Sequence, residues 1–325
     1  MFTGAEKENR VFMNSRLMKE RIVKTILFLC AAFSIILVLS IVFYLIYEGA
    51  PVIIDFFLHG DIAFISTPIN GVIGYPAGVL FAMGTTLYIA LGAAALAVII
   101  GLPCAIYMAE FADMRLRNVT KTSLEMLDGF PSIVIGVIGW ELLTNPSTSY
   151  TFTTWLHVQF AWVGEGCILF GWIILLIMSF PIIATISEDA FRAVPQDLRE
   201  ASLGMGATKW QTTTEVLLPV AMPRVLASVL LALAAAMGET VALTWILGGQ
   251  FSQALSVSAY SIFSPLTGSQ TLTIILEHGY ASMQEGNGGA LPGLYAEGFI
   301  LFVMIGAVNL LTRMLLANRS KGMRE

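Results

Sequence analysis

Six long apolar stretches limit what this chain can fold into. A helix needs about 20 apolar residues to cross the roughly 30 Å of hydrocarbon in a lipid bilayer. The chain is 57% apolar and 12% charged, whereas a soluble domain is about half apolar and about a quarter charged. We therefore expect an all-α integral membrane protein with six transmembrane helices. The stretches cover roughly Thr25–Tyr47, Gly78–Ala109, Ser123–Leu143, Cys167–Ile186, Val225–Gly249 and Leu294–Leu316.

The first stretch is too long for a signal peptide and lacks a small-residue cleavage site, so we expect an uncleaved anchor. The positions of lysine and arginine predict the orientation of the helices. All 17 of them lie at or before the start of the first stretch, between the second and third, between the fourth and fifth, or at the end of the chain. Because loops rich in Lys and Arg stay in the cytoplasm, both termini are expected there, in a multi-pass protein of the cell membrane.

This orientation divides the chain into predicted segments. The segments are a cytoplasmic N-terminal segment 1–24, a six-helix transmembrane domain 25–318 with a polar inner loop 187–224, a cytoplasmic tail 319–325, and outer loops Glu48–Ala77, Thr144–Gly166 and Gln250–Gly293.

Neither a metal site nor a nucleotide site is indicated in this chain. Cys30, Cys104 and Cys167 lie in or at the edge of apolar stretches with no C-x-x-C pattern, so free thiols that serve in packing are expected. The three histidines are far apart. No G-x-x-x-x-G-K-[ST] phosphate-binding loop is present. We therefore expect no catalytic residue, metal or cofactor here, and any ATP hydrolysis would belong to a separate subunit.

The inner loop is polar and charged, although it lies between two apolar stretches. Good helix formers from Asp197 predict a short helix, with Gln196 or Asp197 as its cap. Gly204 and Gly206 are expected to stop this helix in a turn with positive φ. A further helical segment should follow and end near Leu218–Pro219. The alternative interpretation of the loop is a solvated amphipathic connection without a partner.

The third stretch contains residues that predict a discontinuity. Gly129 and Pro131 lie just before Ser132, and proline is tolerated in the first turn of a helix but tends to break or kink one internally. A helix that starts at Pro131 or Ser132 would direct free N–H groups and its positive dipole end into the bundle, where an anion would be stabilised. The alternative is a plain kink that serves packing.

The fifth stretch contains Glu239, which we interpret as the only carboxylate deep inside a span. A carboxylate there is costly and rarely faces lipid, so it is expected to face a translocation path or a partner. Thr240 and Thr244 are expected to share its helical neighbourhood, and Thr240, Ser132 and Trp245 are further candidates for the path. The alternative is a structural carboxylate that is hydrogen-bonded between helices.

The inner loop also resembles a family motif over twenty residues. The pattern Glu-Ala, a glycine, an aliphatic residue and Leu-Pro is similar to the coupling loop of ABC importer permeases, with serine in place of the family's usual second alanine. The matching positions are Glu200, Ala201, Ser202, Gly206, Val216, Leu218 and Pro219. The resemblance implies a type I ABC importer permease fold, in which a short helix docks on an ATPase subunit and transmits its motion.

Three other segments resemble the permeases of phosphate-specific ABC importers, and more closely the PstC type than its paired PstA type. These segments are Ile106–Phe111, Leu127–Gly136 and Ala236–Ala242. The resemblance implies inorganic phosphate as the substrate and an extracytoplasmic phosphate-binding protein that delivers it. It also implies a second permease subunit, in a hetero-dimer, and two ATP-binding subunits that carry ATP and Mg²⁺. No nucleic-acid partner is expected.

One position departs from this family. The family's arginine four residues before the glutamate is Ala235 here. Either the partner permease supplies the cation, or the substrate is another oxyanion such as sulfate, molybdate or tungstate. A secondary transporter or channel without an ATPase would need an intramembrane relay, for which Glu239 alone is a weak basis. A membrane enzyme would need a catalytic cluster, and none is evident.

Overall fold

The computed structural model describes residues 3–59, 78–144, 167–247, 271–284 and 291–322, and nearly all of them are helical. In these ranges the elements are α1 Thr3–His59, α2 Gly78–Ile106, π1 Tyr107–Phe111, α3 Met114–Asp128, α4 Ser132–Gly139, π2 Trp140–Thr144, α5 Ile168–Arg192, α6 Gln196–Gly204, α7 Lys209–Gln211, π3 Thr212–Leu217, α8 Leu218–Gly238, α9 Val241–Leu247, α10 Leu272–Gln284 and α11 Leu291–Gly322.

Five described helices are long and apolar enough to cross a membrane, and a bent pair raises the number of possible crossings to six. The predicted all-α, multi-span fold is therefore confirmed. The bent pair is α3 and α4, which meet at 88° across 129–131. The stretch Ser123–Leu143 is therefore divided where the sequence predicts a discontinuity, and its second half begins at Ser132. Gly129 ends α3, and Pro131 precedes the first turn of α4 with an extended ψ of 130°.

Helices α2, α5 and α8 pack together at the centre of the bundle. Their shared core includes the buried side chains of Ile89, Phe170 and Met237. The crossing of α2 and α5 requires a glycine, because a Cβ on Gly92 would lie 2.2 Å from the Trp172 ring. Lipid gives no hydrophobic drive for helix association, so such close approach at small residues supplies van der Waals contact instead.

Helix α1 is longer than expected and packs mainly against α11. It continues to His59, although an outer loop was predicted from Glu48. The prediction was wrong because the residues after Pro51 are again apolar and remain helical. Contact with α11 is close at Gly49, where a Cβ would lie 2.9 Å from the backbone of Ala296.

Helix α10 lies inside the segment predicted as the last outer loop, so that loop assignment was also wrong. Its Leu272 and Ile275 are buried against Val79 and Ala82 of α2. The Leu272 N–H donates to Thr86 Oγ1 at 3.0 Å, which ties the start of α10 to the same helix. Residues 60–77, 145–166 and 248–270, which make up most of the predicted outer loops, lie outside the described residues.

The fifth span of the structure begins and ends at other residues than those predicted. Elements α7, π3 and α8 form a continuous helical run over Lys209–Gly238, so the expected end near Leu218–Pro219 was wrong. Pro219 lies in the first turn of α8, directly after a π turn that changes the local hydrogen-bond pattern. At its other end the run stops at Gly238. Glu239 and Thr240 then separate it from α9, and this span is also divided.

Candidate functional site

The inner polar segment contains α6, a nine-residue helix between two turns. It begins directly after Pro195, because a proline drives the preceding residue out of the helical region and so ends α5. Neither Gln196 nor Asp197 caps α6, which corrects the expectation. Both lie in its first turn, and no side-chain cap hydrogen bond is formed. The Asp197 carboxylate instead stabilises the positive end of the helix dipole.

Gly206 reverses the chain after α6 with a φ of 88°. Residues with a Cβ adopt this conformation poorly, whereas glycine does so freely. The Ala207 N–H donates to the Ser202 carbonyl at 3.2 Å and closes the end of the helix. Thr208 and Gln211 then form a reciprocal capping box that opens α7. The short helix α6 is therefore bounded by a proline on one side and by a glycine turn and a capping box on the other.

Large apolar side chains are exposed on this otherwise polar segment. Met205 is 90% exposed and Trp210 is 60% exposed. Glu200 and Ala201 are exposed as well. Exposed apolar side chains on a polar segment are available for contact with another protein.

The last residues of the motif hold the base of the segment against the bundle. Val216 and Leu218 are half-buried and pack against a cluster that contains Phe191, Leu217 and Ala221. Pro219 is exposed. The second half of the motif therefore fixes the position from which α6 extends, and the first half forms the exposed helix.

Arg199 joins α6 to the ends of two transmembrane helices. Its Nη2 donates to Glu110 Oε1 of π1 at 2.9 Å. The same guanidinium donates to the carbonyls of Val194 and Phe191 at 2.7 and 2.6 Å. Sequence reasoning missed this pair, although Glu110 lies in a segment that carries the family resemblance and Arg199 directly precedes the motif.

A second ion-pair cluster was also missed. Glu188 of α5 is fully buried, and its two carboxylate oxygens accept from Arg117 at 2.7 Å and from Lys121 at 2.8 Å. Lys121 also pairs with Asp189 at 2.6 Å. The cluster joins α5 to α3 across 67 to 71 residues of sequence. The only local signal was a pair of acidic residues directly after an apolar stretch.

A cavity of about 200 Å³ lies where α3, α4, α5 and α8 meet. Its wall brings the predicted discontinuity of the third span next to the fifth span. Its lining residues are Leu127, Asp128, Phe130, Ile135, Leu175, Met178, Ser179, Ile182, Ala235, Ala236 and Glu239. Among these described residues the charged groups are two carboxylates, Asp128 and Glu239, and Ala235 lies where the family's arginine is expected.

Glu239 lies at a break between helices and not inside a continuous span. Its Oε1 accepts from the Ala242 N–H at 3.2 Å, so the carboxylate caps the start of α9. Its backbone carbonyl accepts from the Thr273 hydroxyl of α10 at 2.9 Å. The residue therefore caps the half-helix that follows it, and it also lines the cavity. Capping explains how this carboxylate is tolerated near the centre of the bundle.

The other three predicted path residues lie on or beside the half-helices that follow the two breaks. Ser132 is the first residue of α4, Thr240 precedes α9, and Trp245 lies on α9. The rings of Trp245 and Trp140 meet edge to face, with their centroids 6.2 Å apart. Helices α4 and α9 pack closely, but of the four predicted path residues Glu239 is the one that lines the cavity.

Glu297 on α11 was overlooked in the sequence, so Glu239 is not the only carboxylate inside a span. Glu297 is 1% exposed and lies within the candidate span Gly293–Leu311. Among the described residues, its Oε2 has no hydrogen-bond partner. The sequence contained the signal that could have identified it, because Glu297 is a carboxylate within the sixth apolar stretch.

Comparison with known proteins matches most of this region to one family. The profile of the family described as "Binding-protein-dependent transport system inner membrane component" matches residues 101–324, which include α6 and the whole cavity wall. The probable ABC transporter permease protein YqgH of Bacillus subtilis is 34% identical over 221 residues, covering 68% of this chain and 65% of that protein. The phosphate transport system permease protein PstC of Xylella fastidiosa is 30% identical over 256 residues, covering 75% of each.

The fold is also similar to that of solved membrane transporters. A chain of the MetNI methionine ABC transporter, solved in inward-facing conformations, superposes with a TM-score of 0.51. The match covers 72% of this chain and 92% of that chain at 19% identity. A likeness at this level of identity concerns the fold alone.

Proposed function

Since the chain belongs to the family of binding-protein-dependent transport system inner membrane components, we propose that it is the phosphate permease of an ATP-driven importer. It forms half of the translocation pathway for inorganic phosphate, which an external binding protein delivers. The names of relatives such as PstC of Xylella fastidiosa support phosphate as the substrate. The observation that carries the proposal is α6, a rigid helix with exposed apolar neighbours that is bounded by turns and tied to the bundle through Arg199.

In this proposal α6 docks on one of two ATP-binding subunits. Glu200 and Ala201 form part of its exposed surface, and Met205 and Trp210 provide apolar contact area. The turn at Gly206 lets α6 keep its own direction relative to α7. ATP and Mg²⁺ bind to those partner subunits and not to this chain, which acts as a transport subunit without hydrolytic chemistry of its own.

The translocation path passes the cavity wall that contains Glu239 and Ala235. Two carboxylates repel a phosphate anion, so this wall alone does not stabilise the substrate. A second, different permease subunit is therefore needed to bring a cation to the open side at Ala235, which is exposed. Ser132 and Trp245 belong to the two half-helices that move with this wall, and Thr240 belongs to the break before α9, when the breaks at 129–131 and 239–240 flex.

The orientation of the chain follows from its charges. Both termini, the tail 319–325 and the inner loop 187–224 are placed in the cytoplasm by the positive-inside rule, and the segment 1–24 precedes the first span of the domain 25–318. With this orientation α6 and its exposed apolar residues face the compartment that holds ATP. The outer face would then carry the contacts with the phosphate-binding protein.

The test is uptake by a reconstituted transporter. The chain, its partner permease and two ATP-binding subunits are placed in liposomes with the binding protein, and labelled phosphate import is measured with and without ATP. Import that requires ATP and is not reduced by excess molybdate, tungstate or sulfate is the expected result. Import without the ATP-binding subunits would refute the ATP-driven mechanism. Import of one of the competing anions, with no phosphate import, would refute phosphate as the substrate. It would favour the alternative that Ala235 suggests, in which the substrate is another oxyanion.

A further inference from the structure

Two side chains of α6 bond to the bundle, and each of them contacts a π turn. Arg199 Nη2 donates to Glu110 Oε1 of π1 at 2.9 Å, and Ser202 Oγ lies 2.9 Å from Thr212 Oγ1 of π3. π-helical turns are rare and often occur at functional positions. Here they present Glu110 and Thr212 to α6 from the ends of two different helical runs, one that follows α2 and one that leads into α8.

Arg199 also closes the end of α5. Its guanidinium donates to the carbonyls of Phe191 and Val194 at 2.6 and 2.7 Å. The last carbonyls of a helix have no partner inside the helix. Arg199 donates to one of them, that of Phe191, and to Val194 in the turn that follows α5, and it places a positive charge at the negative end of the dipole. With Glu110, three acceptors from two elements fix this one side chain, of which only 14% is exposed.

Glu188 continues the connection from α5 to α3. It lies one turn before the carbonyl of Phe191, and its two oxygens accept from Arg117 and Lys121 of α3. Glu188 is fully buried, and a buried carboxylate that loses its cations is strongly destabilising. Helix α3 therefore cannot slide along α5 while these bonds last. The end of α5 thus has charged contacts with α6 on one side and with α3 on the other.

Helix α3 reaches from this cluster to the cavity. Its last residues, Leu127 and Asp128, line the cavity wall, about two helical turns or about 10 Å beyond Lys121. We propose that Arg199 and Glu188 are positioning residues that join α6, the end of α5 and α3 into one moving unit. A displacement of α6 then shifts the cavity wall at Leu127 and Asp128. This inference rests on the proposed function, because it requires a partner subunit that displaces α6.

The first test is the ratio of phosphate imported to ATP hydrolysed in the reconstituted transporter. In Arg199→Ala we expect the complex to assemble and hydrolyse ATP, while the ratio falls by about tenfold, within the range that single links in a coupling network contribute. Arg199→Lys keeps the positive charge, but an ammonium cannot make the same set of hydrogen bonds to three acceptors. Its ratio of phosphate imported to ATP hydrolysed should therefore lie between those of the wild type and Arg199→Ala. Arg115→Ala, which removes an exposed arginine of α3, is the matched control and should keep the wild-type ratio.

A double variant separates this link from general damage. Because Arg199 and Glu110 act through one contact, Arg199→Ala with Glu110→Gln should be no worse than Arg199→Ala alone. Additive losses would overturn the inference, as would a wild-type ratio in Arg199→Ala. If the wild-type transporter itself imports no phosphate, the proposed function fails; if it does and the Arg199 variant stays coupled, this inference alone fails.

The second test measures whether the unit moves as one body. After its native cysteines are replaced, spin labels at Gly204 and Met126, both exposed positions on α6 and α3, report the distance between those helices. We expect this distance to stay constant when ATP binds to the wild-type complex, while the distance from Gly204 to a label at Leu310 on α11 changes. In Lys121→Gln the distance between Gly204 and Met126 should change as well when ATP binds. A wild-type distance between α6 and α3 that changes as much as the distance to α11 would overturn the inference.

Discussion

The contact between α4 and α9 allows a direct test of the structure beside the cavity. Gly136 of α4 is buried, and a Cβ there would lie 2.8 Å from Ala242 Cα and 3.3 Å from the Ala242 carbonyl oxygen. Both are backbone atoms of α9, so no side-chain rotation relieves the contact. Gly136→Ala must therefore push the two half-helices apart.

The size of the effect follows from these distances. Ordinary van der Waals contact begins near 3.4 Å, so the helices must separate by roughly 0.6 Å in a densely packed interior. Overpacking of this kind costs about 1–3 kcal/mol, and the better helix propensity of alanine returns up to about 1 kcal/mol. We expect the free energy of unfolding to fall by roughly 1–2 kcal/mol. The shift of α9 also moves the N–H of Ala242 away from Glu239, so slower phosphate uptake is expected.

The assay is unfolding of the purified chain in mixed micelles with increasing denaturing detergent, followed by circular dichroism. Gly84→Ala is the control, because no atom of the described residues lies within 4 Å of a Cβ at that exposed glycine of α2. It should be as stable as the wild type or slightly more stable. If Gly136→Ala proves as stable as Gly84→Ala, the close contact between α4 and α9 is wrong.

Three further predictions concern α6 and the cavity. Gly206→Ala should lower the free energy of unfolding by about 1–2 kcal/mol, because its φ of 88° is strained for alanine. Gly204→Ala, where the described residues likewise leave a Cβ free but the backbone is helical, should not lower it; equal effects of the two variants would mean that the turn does not depend on glycine. Ala235→Arg places a second cation where the partner permease is proposed to supply one, on the same cavity wall as Glu239, so repulsion between the two cations should lower the rate of phosphate uptake; an unchanged or higher rate in the assembled transporter would contradict a partner cation at this wall. Ser202→Ala removes one hydrogen bond to π3 and should lower the free energy of unfolding by about 1 kcal/mol. If this variant is as stable as the wild type, the hydrogen bond between the two hydroxyls contributes nothing to stability.

The amino-acid sequence by itself determined the features that depend on chain length and local backbone geometry. The apolar stretches had to become membrane-spanning helices, because a bilayer satisfies no backbone hydrogen bonds and leaves helices as the way for such a chain to cross. The short helix α6 and the turn at Gly206 followed from helix formers beside glycine. Breaks at Gly129 and Pro131 could be anticipated in the same way, because proline and glycine act on their immediate neighbours.

The tertiary structure alone decided which distant groups meet. Arg199 and Glu110 are 89 residues apart, and their contact depends on how far π1 rotates the end of one helix toward another. Glu188 lies just after an apolar stretch in the sequence, and only the packing of α3 against α5 buries it beside Arg117 and Lys121. Glu239 looked like a carboxylate within a helix, and only the folded chain shows it at a break, where it caps α9. Such pairings depend on the rotation and register of whole helices, and no short stretch of sequence contains that information.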